Sequence, residues 1–352
     1  MATKYLYEHI IYKYSEAIFS SSALLAVLQD SAKGEQLARM VIRVDINISA
    51  VHPHLQSTLL RLCPNLQSIY INDYAFDYPR RYSNGSRNLP TLSVDSELLQ
   101  DSEYQRFWST ADHWHSLTIL FEPSREPVSP KNILPPPPDS GGKEFNNLRH
   151  INIVSRSVNK YSIRNLKHWP LPSVTHLTIN SYIPGTEGAY DDALDMLRSS
   201  RLGLQLKFFA LLVPQTTSSH QTTAFGSLEL LKAMPNLEEV ALPFFWDSAQ
   251  LPDTAIIFPK VHTMGMEIHR FDYTAAATPA NAFATYTETC CRLFPNIQTI
   301  RTTSIMYTCT GDFFLANKVG PMVHLKKASA LLKRRGIKFE DCTGRDINKV
   351  LC

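Results

Sequence analysis

Residues 234–243 read MPNLEEVALP. A proline and an asparagine lead into Leu237, Val240 follows three residues later, and Leu242 two after that. Apolar residues on alternate positions are the pattern of a strand with one buried face. Proline fits just before such a strand, where its missing N–H breaks no ladder bond.

The chain repeats this pattern. CPNLQSIYIN sets Leu66, Ile69 and Ile71 after Pro64, and LPSVTHLTIN sets Val174, Leu177 and Ile179 after Pro172. FPKVHTMGME sets Val261, Met264 and Met266 after Pro259, and FPNIQTIRTT sets Ile297 and Ile300 after Pro295, with Thr302 in the third place. Looser copies lack the proline: NNLRHINIV (Leu148, Ile151, Ile153), LQLKFFALL (Leu206, Phe209, Leu211), HSLTILFE (Leu117, Leu120) and LARMVIRVDI (Ile42, Val44, Ile46). The first apolar positions fall at 37, 66, 117, 148, 174, 206, 237, 261 and 297, and all but one of the steps span 24 to 36 residues. Such a period marks stacked repeats. The one long step, from 66 to 117, holds the polar insertion DYPRRYSNGSRNLP and a weak extra strand at TLSVD.

Helical patterns precede several strands. NAFATYTETCCRLF puts Phe283, Tyr286, Cys290 and Leu293 on one face, and AYDDALDMLRSS does so with Tyr190, Leu194 and Leu197. HLQSTLLRLCPNLQ and GSLELLKAMPNLEE are further helix-then-strand pairs. Each pair leaves an apolar face that only a neighbouring unit can cover. A helical return between strands makes them parallel.

This pattern resembles a degenerate leucine-rich repeat, L-x-x-L-x-L-x-x-N/C-x-L. The first half matches, but the Asn/Cys position holds Tyr74, Arg156, Tyr182, Phe245 and His269, so the asparagine ladder of that repeat is not expected. The irregular lengths, the Pro-Asn-Leu starts and the closing LLKRRGIKFEDCTG resemble the C-terminal region of F-box/leucine-rich-repeat proteins, over residues 5–345. TKYLYEHIIY resembles the segment just after the box in that family, while the box itself, with its Leu-Pro-x-Glu-like start, is absent. The resemblance implies an α/β fold: an irregular leucine-rich-repeat-like solenoid with parallel strands on one face and helices on the other. It makes residues 1–352 one repeat domain, interrupted by a Pro-rich insertion at 122–145 and closed by a helix–strand cap at 321–345.

In the insertion, Pro135 to Pro138 favour an extended polyproline segment, read as a solvated loop. VPQTTSSHQTTAFG is a second polar loop. In the cap, Leu325, Ala328, Leu331 and Leu332 form a buried stripe, Gly336 ends the helix, and Ile337 and Phe339 begin a short strand. Lys326, Lys327, Lys333, Arg334 and Arg335 form a solvated basic face.

Composition narrows the function. The net charge of +3 is too small for an electrostatic nucleic-acid footprint. Glu8, Lys13 and Glu16 interrupt the opening MATKYLYEHIIYKYSEAIF, so no signal peptide is read there, and no window approaches a membrane span. An intracellular protein, cytoplasmic or nuclear, is expected. The six cysteines lack framework spacing and read as free thiols, with adjacent Cys290 and Cys291 on the buried side of a helix. The Asn47 and Asn84 acceptor patterns carry little weight without export.

No phosphate loop, dinucleotide fingerprint or Gly-x-Ser-x-Gly elbow occurs, so no cofactor and no enzymatic activity are expected. The pairs His52/His54 and His113/His115 lack further ligands at metal spacing. His150 and His176 take equivalent exposed positions in consecutive copies and read as surface histidines.

Stacked repeats bind through the open face of the sheet. Alternation turns Ser68, Tyr70 and Asn72 outward on that candidate concave face. His150 and Asn152 follow, then His176, Thr178 and Asn180, with Glu239, Glu267 and Arg301 continuing the row. A mixed polar face with one aromatic suits a protein ligand better than nucleic acid. The expected function is a non-catalytic interaction scaffold. By resemblance it is the substrate-recognition arm of an F-box-type ubiquitin ligase subunit that does not dock to the ligase adaptor. The alternatives are a ubiquitin-independent repeat scaffold and an enzyme on a strand–helix fold.

Overall fold

The structure is a computed structural model that describes residues 9–12, 26, 29, 31–46, 62–66, 68–71, 91–95, 114–121, 144–155, 164–181, 187–212, 229–241, 257–266, 287–302, 329–340, 344, 346 and 347. The backbone divides into two compact units, residues 1–77 with 85–174, and residues 78–84 with 175–352.

The first unit carries β1 (His9–Tyr12), α1 (Ser31–Met40), β2 (Arg43–Ile46), β3 (Ser68–Ile71), β4 (Thr91–Asp95), β5 (Ser116–Phe121) and β6 (His150–Ser155), followed by a 3-10 helix at Arg164–His168. The second carries β7 (His176–Ser181), α2 (Glu187–Ser199), α3 (Leu202–Gln205), β8 (Phe208–Leu212), β9 (Glu239–Ala241), β10 (Thr263–Met266), β11 (Thr299–Thr302) and β12 (Lys338–Glu340). Further helical residues lie at 229–232, 287–293 and 329–334. Within each unit the strands lie side by side in sequence order, and every pair is parallel. The fold is α/β with an open sheet, and the TLSVD segment is a full member of it as β4.

One local device recurs at the strand entries. The Leu237 amide donates to the Met234 carbonyl at 3.2 Å, closing a turn with Pro235 and Asn236 at its corner. The same turn joins Cys63 to Leu66, Phe258 to Val261 and Phe294 to Ile297, each with proline in second place. Ala38–Val41 and Phe145–Leu148 close it without proline. Proline suits that place because its ring presets the backbone angle a type I or II turn needs. The residue after each anchor then opens the ladder: Lys207 donates to Thr175, Glu238 to Lys207, His262 to Glu238 and Gln298 to His262, at 2.8–2.9 Å.

The strand register corrects two anchor assignments. Val44, Ile69, Leu92, Leu117 and Ile151 are Cα partners across the first unit. Leu117 is therefore a second position, and its anchor is Trp114, which is 1% exposed. Ile119, fully buried, is its alternate partner in place of Leu120. Likewise Leu37 lies in α1 and is half-buried, and the anchor of β2 is the buried Val41.

Leu177, Phe209, Val240, Met264, Ile300 and Phe339 form the matching row of the second unit, and all are buried. The helix at 287–293 lies on this face, with Cys290 Sγ 3.4 Å from Met264 Sδ. On α2 the buried residues are Ala193, Met196 and Leu197; Leu197 is as expected, Leu194 is only half-buried, and the side chain of Tyr190 lies outside the described ones. Phe145, at the edge of the insertion read as solvated, is fully buried and stacked on Trp169 at 6.0 Å.

The last described helix ends as the glycine signal indicates. Gly336 has φ +70°, its amide donates to Lys333, and the Ile337 amide donates to Leu332, which is the Schellman arrangement. Of the expected stripe, Leu332 is buried and Leu331 half-buried, while Leu325 and Ala328 lie outside the described residues. The stretches 72–90, 122–143 and 213–228 also lie outside them, and with them most of the polar insertions.

Backbones approach closely at Gly203. A Cβ there would sit 2.5 Å from the Ala233 carbonyl oxygen and 3.0 Å from that of Leu197. Gly203→Ala gains about 1 kcal/mol of helix propensity. It forces two backbones apart, however, at a cost of about 1–3 kcal/mol. Net destabilisation is expected, read as a lower urea midpoint at unchanged slope.

Candidate partner-binding face

The face opposite the Val240–Met264 row contains two rows of side chains. In the second unit the first row is His176, Phe208, Glu239, Thr263, Thr299 and Lys338. The second row is Thr178, Ala210, Ala241, Gly265, Arg301 and Glu340. In the first unit, Ser116 pairs with His150 and Thr118 with Asn152.

The expected residues distribute unevenly over these rows. Asn72 and Glu267 lie outside the described residues. Ser68 and Tyr70 lie on β3 and Asn180 on β7, where the backbone alone is described. His150 and His176 are half-buried. Asn152, Thr178 and Arg301 are buried, at 7%, 8% and 9% exposure, so they do not form the freely solvated row that alternation suggests. Nor do Glu239 and Arg301 share a row.

They meet diagonally instead. Arg301 Nη1 donates to Glu239 Oε1 at 3.1 Å, while its Nε and Nη2 donate to Glu340 Oε2 at 3.2 and 2.9 Å. Glu340 is the direct register partner of Arg301, but Glu239 lies two strands away, about 10 Å across the sheet. Between them is Gly265, the partner of both Arg301 and Ala241. With no side chain on β10 at that place, the guanidinium lies across the strand and links β9, β11 and β12.

Burial raises the Glu239 carboxyl above its ordinary range. Arg301 and His262 oppose the shift, and Glu340 adds to it. Two carboxylates share one guanidinium in a half-buried setting, and the pairing offsets the desolvation of Glu239 only in part.

Beside this cluster the face turns apolar. Phe208 is 4% exposed, and Ala210 and Ala241 are fully buried. The His176 ring stacks on Phe208 at 5.5 Å, and its Nδ1 lies 2.8 Å from Thr175 Oγ1. The signal for this is present in FFALL, an uninterrupted apolar run of the kind that marks a strand buried on both sides.

The turn asparagines have a role that the repeat pattern does not assign to them. Asn65 Nδ2 donates to the Arg39 carbonyl, Asn236 to that of Leu204 and Asn296 to that of Pro259, at 2.6–2.8 Å. Each ties a turn to the preceding unit, and two of the acceptors lie near helix ends, where carbonyls lack intrahelical partners. Lys260 stands in the asparagine place of its copy and donates to Asn236 Oδ1. The ladder positions expected from the repeat (Tyr74, Arg156, Tyr182, Phe245 and His269) lie outside the described residues.

Among the described residues no group of three His, Cys, Asp or Glu side chains is arranged to hold a metal. Cys63, Cys290 and Cys291 are not in disulfides. Burial pushes the Cys63 thiol up to about 11. Cys290 is buried and Cys291 half-buried. No helix of the described residues is long and apolar enough to cross a membrane. No protein-family model matches the chain, and no curated protein matches it.

In the first unit, burial, the Arg149 charge and the neighbouring His115 hold the His150 imidazole below its ordinary value of 6.5. On acidification the unfolded chain therefore takes up a proton at this position before the folded chain does. Stability is lost from the unfolded pKa downward until the folded pKa is passed. Between about pH 7.5 and about pH 5.5, His150→Asn should lose less stability than the wild type, measured as the shift in urea midpoint.

Proposed function

We propose that this protein is a non-catalytic protein-interaction scaffold, an irregular solenoid of leucine-rich-repeat-like units whose non-helical sheet face receives a protein ligand. The observation that carries the reading is the in-register recurrence of one turn–strand unit, with mixed polar and charged residues on the face it leaves uncommitted. Units of this kind bury their apolar side against each other and present the remaining side as a continuous surface. His176, Glu239 and Glu340 retain partial exposure there and offer both ring and carboxylate contacts. The partly uncompensated Glu239 carboxylate favours a ligand that brings hydrogen-bond donors.

The resemblance of the Pro-Asn-Leu starts and the closing LLKRRGIKFEDCTG to F-box/leucine-rich-repeat proteins supports a narrower role. In it, the chain is a substrate-recognition arm of an F-box-type ubiquitin ligase subunit, acting inside the cell. A repeat scaffold independent of ubiquitin shares the same surface.

Two captures with residues 1–352 as bait test these readings. Purified ligase adaptor should not be retained by these residues, and clear binding would contradict their reading as a substrate-recognition arm alone. Partners captured from the native cell and identified by mass should fall away when the bait carries Glu239→Gln with His176→Ala and its melting curve is unchanged. Partners that bind both baits equally would remove this face from the proposal.

A further inference from the structure

Strand β12 ends the parallel order of the second unit and pairs with β11. The Lys338 amide donates toward β11, to the Gln298 carbonyl at 2.9 Å. Successive residues of a strand direct their backbone groups to opposite sides, so those of Phe339 point away from β11. A row of bare amides and carbonyls at a sheet edge is a template for any other strand.

Here the chain occupies its own edge. The Ile347 amide donates to the Phe339 carbonyl at 2.8 Å, and Glu340 forms an antiparallel bridge with Asp346. Ile347 and Phe339 are both fully buried. This bridge runs against the direction of every described strand pair. Gly344, with φ +81°, lies between the two partners in sequence, in the left-handed region where glycine alone is at ease. A Cβ there would meet only Glu340 Oε2, at 3.9 Å, so glycine is needed for backbone conformation rather than for space. Glu340 is held by Arg301 through its side chain and sits opposite Asp346 in the bridge, which the flanking Ile347–Phe339 bond closes.

We propose that Gly344, Asp346 and Ile347 mark an edge block that keeps β12 from pairing with a strand of a second copy of this chain. The block combines two features that proteins use to protect exposed edges: it consumes the outward carbonyl, and it reverses strand direction so that the parallel order cannot continue. Ile347 fixes it in place by filling an apolar site beside Phe339.

Light scattering on the full chain tests the proposal. The wild type should keep the mass of one chain at every concentration. Ile347→Asp, which expels the block, should gain mass with concentration toward two chains or more while its circular dichroism stays native. A folded I347D that remains at the mass of one chain would overturn the proposal. If I347D does not fold, Ile347→Pro decides in the same way, because it keeps an apolar side chain and removes only the amide donor. Amide exchange on the wild type reads the block directly: protection at Ile347 is expected, and free exchange there overturns the proposal whatever the variants do.

Discussion

The structure depends on a four-residue turn whose two ends are apolar and, apart from half-buried Phe258, buried. The amide of its last residue closes on the carbonyl of its first, as between Met234 and Leu237 or Cys63 and Leu66. At Cys63, Met234 and Phe294 that bond brings the chain out of a helix, and it aims the next residue at the preceding strand. A typical hydrogen bond of this kind contributes only about 0.5–1.5 kcal/mol net. Its importance lies in fixing register. Slipping a strand by one residue would turn the row of Val240, Met264, Ile300 and Phe339 to the opposite face. Because the turn recurs, each unit inherits its register from the unit before. The asparagine at the corner strengthens this inheritance by binding a carbonyl of the preceding unit rather than of its own.

The same constraint shapes the opposite face. Once register is fixed, Gly265 stands beside Arg301, and the guanidinium can reach Glu239 across a strand that contributes no side chain. The resulting cluster links three strands by charge where the backbone already links them by ladder bonds. Its ion pairs are mostly shielded, with the Arg301 side chain 10% exposed, so they resist salt screening better than the exposed pairs of the turn edge, such as Lys207 with Glu238. The next patch along, Phe208 with Ala210 and Ala241, is apolar, so the face is polar only in part.

Much of the architecture is legible in the sequence, because the signal for parallel strands in chain order is a period, and a period survives local irregularity. Individual anchors are less secure. Pattern alone favours Leu117 over Trp114, since a lone aromatic before a polar pair does not look like a strand entry, although its row is set by β4 and β6. It favours Leu37 over Val41 because helix α1 runs directly into β2 and the two periodicities overlap there. On the candidate face, alternation finds the right strands but assumes that every outward side chain meets water. Arg301 and Asn152 are buried, and FFALL is apolar on both sides, a consequence of packing that a rule applied one strand at a time does not contain. The inter-unit bonds of Asn65, Asn236 and Asn296 are in plain view as a repeated Pro-Asn motif. Their acceptors lie 26 to 37 residues away, beyond the reach of local pattern reading.

The central claim is that successive buried strand residues are spatial neighbours in chain order. Methyl-labelled nuclear Overhauser spectroscopy on the intact chain measures this at Val240, Met264 and Ile300. Adjacent parallel strands lie about 4.8 Å apart and alternate strands about twice that. Strong cross-peaks should therefore join Val240 to Met264 and Met264 to Ile300, with the Val240–Ile300 peak far weaker. A strong Val240–Ile300 peak without the two intermediate ones would contradict the order of strands on which the whole account stands.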